Sequence, residues 1–140
     1  MFTGIVRRIQ PELMVAFQAT KISRQSSKGL NQNVQFERVS LNIGNGYHTQ
    51  HGVFVVPKSG IYVMSVTTLH AMQSITVNGA ILHKENIIAK LDGQCNTWKQ
   101  ASHTVLIQAN VGDEIWVKNV GAANENIYGD LLLTFSGFLV

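Results

Sequence analysis

Val53-Phe54-Val55-Val56-Pro57-Lys58-Ser59-Gly60-Ile61-Tyr62-Val63-Met64-Ser65-Val66-Thr67-Thr68-Leu69 is the stretch on which the reading of this chain turns. Its first four residues are apolar on both faces of an extended backbone, and Pro57, with no N–H to donate, stops them. From Gly60 onward runs the longest β-branched and aromatic segment of the chain. Such residues suit a pleated, half-buried surface, and no spacing of three and four competes with them to make a helix. The stretch therefore predicts two buried strands joined at a Pro-and-Gly corner.

The same period of two recurs on either side. Val15, Phe17 and Ala19 alternate with Ala16, Gln18 and Thr20, and Val34 and Phe36 alternate with Gln35 and Glu37. Ile75 to Val77 leads into Asn78-Gly79 and then Ala80-Ile81-Leu82, the pattern of a tight hairpin whose turn residues accept positive φ. Thr104 to Gln108 and Glu114 to Lys118 flank a turn at Val111-Gly112-Asp113. Leu131, Leu133, Phe135, Gly137 and Leu139 alternate with their neighbours to the C-terminus, so the chain ends in a strand. About ten short strands, no repeat of fixed period, and polar connections at 26–33 and 121–126 predict an all-β protein. The architecture expected is a jelly-roll β-sandwich of two antiparallel sheets.

Composition agrees with one compact domain. The chain has 140 residues, 45% hydrophobic and 14% charged, enough for a full core and too apolar for disorder. Eleven Lys and Arg against eight Asp and Glu give +3, too little and too dispersed for a nucleic-acid partner. The excess sits early: Arg7, Arg8, Lys21, Arg24, Lys28 and Arg38 face only Glu12 and Glu37, which permits a weak attraction to anions. Cys95 is the single cysteine, so no bridge forms within the chain. Neither a secretory signal nor a transmembrane run is visible, and the compartment stays open on this ground. Eleven Asn and ten Gln outnumber the charged residues, which is turn chemistry first and hydroxyl-reading equipment second.

Spacing across the middle is more specific. Phe36, Asn42, Tyr47, Phe54, Gly60 and Tyr62 stand at gaps of five, four, six, five and one residues. This resembles the signature of the complement C1q globular-head domain family. Flanking landmarks agree: Val15-Ala16-Phe17, Gln100-Ala101-Ser102, Gly112-Asp113-Glu114-Ile115-Trp116 and Phe135-Ser136-Gly137-Phe138-Leu139. The likeness covers residues 14–140 and leaves 1–13 as a short N-terminal segment. Met64 and Val66 depart from it, standing where aromatic residues are common. Physically, Phe36, Tyr47, Phe54, Tyr62 and Phe135 are core residues of a sandwich, and no ligand site is assigned to them.

The resemblance implies a jelly roll related to tumour necrosis factor, a homotrimer and a secreted protein. No Gly-X-Y repeat precedes the domain, so a head without a collagen stalk is expected. Trp116, Tyr128 and Phe138 exceed what a core of this size requires and suit a subunit interface. The family also implies calcium in the loop before Gln100. Here Lys99 holds the position where relatives place an acid, and Asp92 is the nearby carboxylate, so calcium is disfavoured and no cofactor is expected. His48 and His51 lie close together without further zinc ligands, and His70, His83 and His103 are isolated in sequence. Asp113-Glu114 reads as turn chemistry, and Cys95 as a free thiol. No nucleophile, acid and base set emerges, so no enzyme is expected.

Many collagen-free members of that family act as pattern-recognition lectins, which implies microbial or host glycans, lipopolysaccharide included, as partners. Asn96, Trp98, Lys99 and Gln100 supply the chemistry: an indole to stack on a sugar, amides for hydroxyls, an ammonium for a carboxylate or phosphate. Trp98 either does this or packs beneath its loop. Asn124, Asn126 and Tyr128 are the secondary candidates. A receptor protein engaged by a cytokine-like or synapse-organiser-like ligand is the alternative.

Overall fold

The computed structural model describes residues 14–23, 25–26, 33–70, 79–91, 99–119, 126–127 and 133–140. Two five-stranded sheets face each other, and no helix occurs among the described residues. The first sheet runs in the order β3 (Arg38–Ile43), β1 (Ala16–Thr20), β12 (Thr134–Leu139), β6 (Gly60–His70) and β9 (Lys99–Ala109). The second runs β4 (Tyr47–His48), β5 (Val53–Val55), β10 (Glu114–Asn119), β7 (Gly79–His83) and β8 (Asn86–Leu91). A short pairing of β2 (Gln25–Ser26) with β11 (Asn126–Ile127) lies apart from both. Every pairing is antiparallel, and most neighbours are far apart in sequence, which is the jelly-roll pattern.

The core lies where the inward residues of both sheets meet. Phe17 stands at its centre: its ring stacks on Tyr47 at 5.3 Å and on Phe54 at 4.6 Å, and meets Phe135 edge-on at 5.0 Å. Tyr47 is buried without an orphaned hydroxyl, because its Oη donates to the Phe36 carbonyl and accepts from the Phe36 N–H, both at 3.1 Å. Burial pushes that hydroxyl up to about 12, with the Glu37 charge adding to the shift. Asn42 explains its place in the spacing. Its amide grips the Tyr47 backbone from both ends, donating to the carbonyl at 3.0 Å and accepting from the N–H at 3.1 Å. Each buried aromatic contributes about 1.5–3 kcal/mol by area.

Met64 and Val66, the two departures from the aromatic pattern, are fully buried in this core. Gly137 is the reason a long thioether fits: a Cβ there would collide with the Met64 sulfur and press on Phe17. A flexible Met opposite a glycine fills space that a rigid ring would take elsewhere. Gly52 has φ 67° and a hydrogen site facing the Val34 carbonyl, so the turn before β5 has room for no side chain.

One local expectation lies outside the described residues and another changes. Of the hairpin expected at Asn78-Gly79, Asn78 and the strand before it lie outside the described residues, and Gly79 opens β7. The two-residue hairpin that is described closes β7 on β8 through Lys84 and Glu85, with φ of 53° and 73°. Lys21, counted among the N-terminal cations, is 1% exposed. Its ammonium donates to the Gln35 carbonyl at 2.8 Å and to Glu37 at 3.0 Å, so it carries no field to a partner. Burial alone would raise the Glu37 carboxyl. The Ile22 N–H at 2.6 Å, Lys21 and the Ser23 hydroxyl outweigh it and hold the group at about 2.

Candidate functional site

Backbone register fixes where the expected ligand loop enters the sheet. Lys99 pairs with His70 and Gln100 with Leu69 at the far end of the long β6–β9 ladder. Asn96 and Trp98 lie outside the described residues, as do Asn124, Tyr128 and Cys95. Asn126 pairs with Ser26 in the short β2–β11 ladder. The calcium position before Gln100 also falls outside them, apart from Lys99. Register sets that lysine opposite His70 at the end of the ladder.

What the described residues do show is an apolar band on the outer face of the first sheet. Ile43 pairs with Ala16, Ala16 with Phe138, Phe138 with Val63, and Val63 with Leu106, a single row across all five strands. Phe138 is 50% exposed and Leu106 70%, with Ile61 and Val140 beside them at 50% and 78%. Farther along the same face the rows turn polar, through Ser136, Ser65 and Thr104, and the last two hydroxyls bond each other at 3.0 Å. Sequence reading picked out Phe138 alone. Alternation along β6 and β9 would have placed Ile61, Val63 and Leu106 opposite the core, but only the register joins them into one band.

Trp116, grouped with Phe138 by composition, stands elsewhere. It pairs with Val53 and Leu82 in the second sheet, between the core residues Ile115 and Val117, and so faces outward on the opposite side of the sandwich. At the end of the same strand, Asp113 closes a tight turn: it accepts from the Asn110 N–H at 2.9 Å and donates its own N–H to the Asn110 carbonyl at 3.0 Å. Turn chemistry is thus right for Asp113 and incomplete. His83, isolated in sequence, is brought to 2.9 Å from its carboxylate, and the Lys84 ammonium lies 3.4 Å away. The Asn110 N–H first, then His83 and Lys84, hold the Asp113 carboxyl below the usual carboxylate range. His48 ends β4 and His51 sits on the turn that follows, both exposed, and among the described residues no group of three His, Cys, Asp or Glu could hold a metal.

The family model of the C1q domain matches residues 16–140. The chain belongs to the C1q domain family. Caprin-2 of Danio rerio is 29% identical over 134 residues, covering 92% of this chain and 14% of that protein. The heavy metal-binding protein HIP of Mytilus edulis is 27% identical over 128 residues, 90% of this chain and 60% of that one. The chain thus spans less than two thirds of either relative. Among solved structures, the globular domain of zebrafish complement 1qA superposes with a TM-score of 0.73 at 14% identity, covering 90% of this chain and 97% of that one. Ligands of the tumour necrosis factor type share the fold as well. This C1q domain is therefore a binding fold, and among its described residues no helix is long and apolar enough to cross a membrane.

Proposed function

We propose that this C1q domain acts as a secreted homotrimer of innate immunity that recognises microbial carbohydrate or lipopolysaccharide, without catalysis and without calcium. The observation that carries the reading is the apolar band through Ile43, Ala16, Phe138, Val63 and Leu106. A row this continuous and this exposed marks a surface that another protein covers, and a copy of the same chain is the partner the family implies. Assembly in threes gives weak single sites the avidity that a repeating microbial surface rewards.

The ligand groups proposed are Asn96, Trp98, Lys99 and Gln100, with Asn124, Asn126 and Tyr128 as further contacts. Lys99 and Gln100 lie at the end of β9 where the polar rows of the first sheet run, away from the apolar band. An ammonium in that position suits an acidic sugar or a phosphate and repels a cation.

Light scattering should give three times the chain mass of 15.4 kDa. A glycan and lipopolysaccharide array, run with calcium and with chelator, should then show saturable binding that chelator leaves intact. Trp98→Ala and Lys99→Ala should weaken it with little change in thermal stability. Unchanged binding in both removes the loop from the site, and a trimer that ignores every glycan moves the assignment to a protein receptor.

A further inference from the structure

The outer face of the second sheet carries a cleft lined by none of the loop residues proposed above. Its volume is about 430 Å³, and its walls are Asn33, Val53, Glu85, Glu114, Trp116 and Lys118. A neighbouring hollow of about 360 Å³ shares Glu85, Glu114 and Trp116 with it and adds Lys84 and Asp113. The arrangement follows from β10. Ile115 and Val117 go to the core, so Glu114, Trp116 and Lys118 stand in one outward row at a spacing of about 6.5–7 Å. An indole is thereby set between a carboxylate and an ammonium. Among the described residues, ion pairs engage neither Glu85, Glu114 nor Lys118.

Glu85 reaches this cleft through an unfavourable backbone. Both residues of its turn have positive φ, 53° at Lys84 and 73° at Glu85, where Asn-Gly would make the turn with little strain. Lys84 is tied down, its N–H donating to the Glu114 carbonyl at 3.1 Å and its ammonium facing Asp113. Asp113 in turn is fixed by His83. Glu85 makes no tie of that kind among the described residues; it is exposed and borders both hollows. Strain kept at a position that packs nothing points to a use for the side chain.

We propose that this cleft is a second carbohydrate site, taking one uncharged or amine-bearing pyranose, with the strained turn holding Glu85 at its rim. A pyranose has an apolar C–H face and a rim of hydroxyls that both donate and accept. Trp116 matches the face, Glu85 and Glu114 accept from hydroxyls or an ammonium, and Lys118 donates. Two carboxylates against one ammonium disfavour an acidic sugar, the opposite preference to a site built on Lys99. The cleft faces away from the apolar band, so assembly through that band leaves it open. The ligand class is shared with the reading above and the residues are not, so each stands if the other fails.

The chain has two tryptophans, and Trp98→Phe leaves Trp116 as the sole indole. Its emission is followed while methyl glucopyranoside, glucosamine and N-acetylneuraminic acid are titrated in. The first two should give saturable changes with midpoints of about 1–10 mM, the acidic sugar a midpoint at least about tenfold higher. Glu114→Gln and Glu85→Gly should each raise the glucosamine midpoint about tenfold without changing the mass. Calorimetric titration of the unmodified chain against Trp116→Ala gives the same answer if Trp98→Phe does not fold. No saturation by either neutral or amino sugar, equal binding of the acidic one, or indifference to both glutamate changes overturns the proposal. Because the loop indole is absent from the titrated variant, this failure is distinct from a failed array.

Discussion

The two outer faces of this sandwich share one core and present opposite surfaces to water. On the first sheet, residues from five strands line up as Ile43, Ala16, Phe138, Val63 and Leu106, and the band they form is apolar and open. On the second, Glu114, Trp116 and Lys118 alternate charge with an aromatic plane, and a charged turn closes one side. The strand period is the same in both. What differs is whether the outward residues agree with one another across the ladder, and agreement over five strands makes a continuous apolar surface where disagreement makes a cleft.

Charging the band is the strongest way to break this contrast. Phe138→Glu combined with Leu106→Glu buries two carboxylates per copy in any assembly, at several kcal/mol each, so light scattering should fall to the 15.4 kDa chain with the fold intact by circular dichroism. An unchanged mass means the band is not the assembly face. Second in size, Phe17→Ala should cost about 3–5 kcal/mol in denaturant unfolding, because this ring touches partners from both sheets. Loss of one face without the other would contradict a shared core.

Acid tests the Lys21–Glu37 pair. Glu37 ionises at about 2 in the folded chain against 4.5 ordinarily, so its contribution is complete above 4.5 and disappears as pH falls toward 2. Thermal unfolding from pH 7 to pH 2 should show this loss, and Glu37→Gln should flatten it. The smallest effect sharpens the comparison on the cleft side. Glu85→Gly should raise stability by about 0.5–1 kcal/mol by relieving the positive φ, a gain in melting temperature at the expense of the cleft rim. A loss of stability instead would mean that Glu85 is held for packing.

Much of the fold was legible because buried strands write their burial into alternation. Val15, Phe17 and Ala19 all turn inward, and the spaced Phe36, Tyr47, Phe54 and Tyr62 are all core. Besides the two-residue strands β2, β4 and β11, the strands that went unread are β3 and β8, each at the edge of its sheet. Their residues face water on more than one side, Ile87 and Ile88 of β8 being both exposed, so no clean period appears. The turn at Lys84-Glu85 was equally hidden, since neither residue type favours positive φ. His83 and Asp113 stand thirty residues apart and meet because β7 pairs with β10. Asn96 and Trp98, proposed as ligand contacts from their chemistry, lie outside the described residues.

Taken alone, the sequence determined a two-layer antiparallel fold, its aromatic core and its family, because side-chain period and the spacing of buried rings are local properties of a strand. Tertiary structure decided which outward residues become neighbours: Leu106 beside Val63, Val63 beside Phe138, Trp116 beside Val53 and Leu82. Those pairings are set by ladders between strands distant in the chain, whose register depends on how every buried face fits at once.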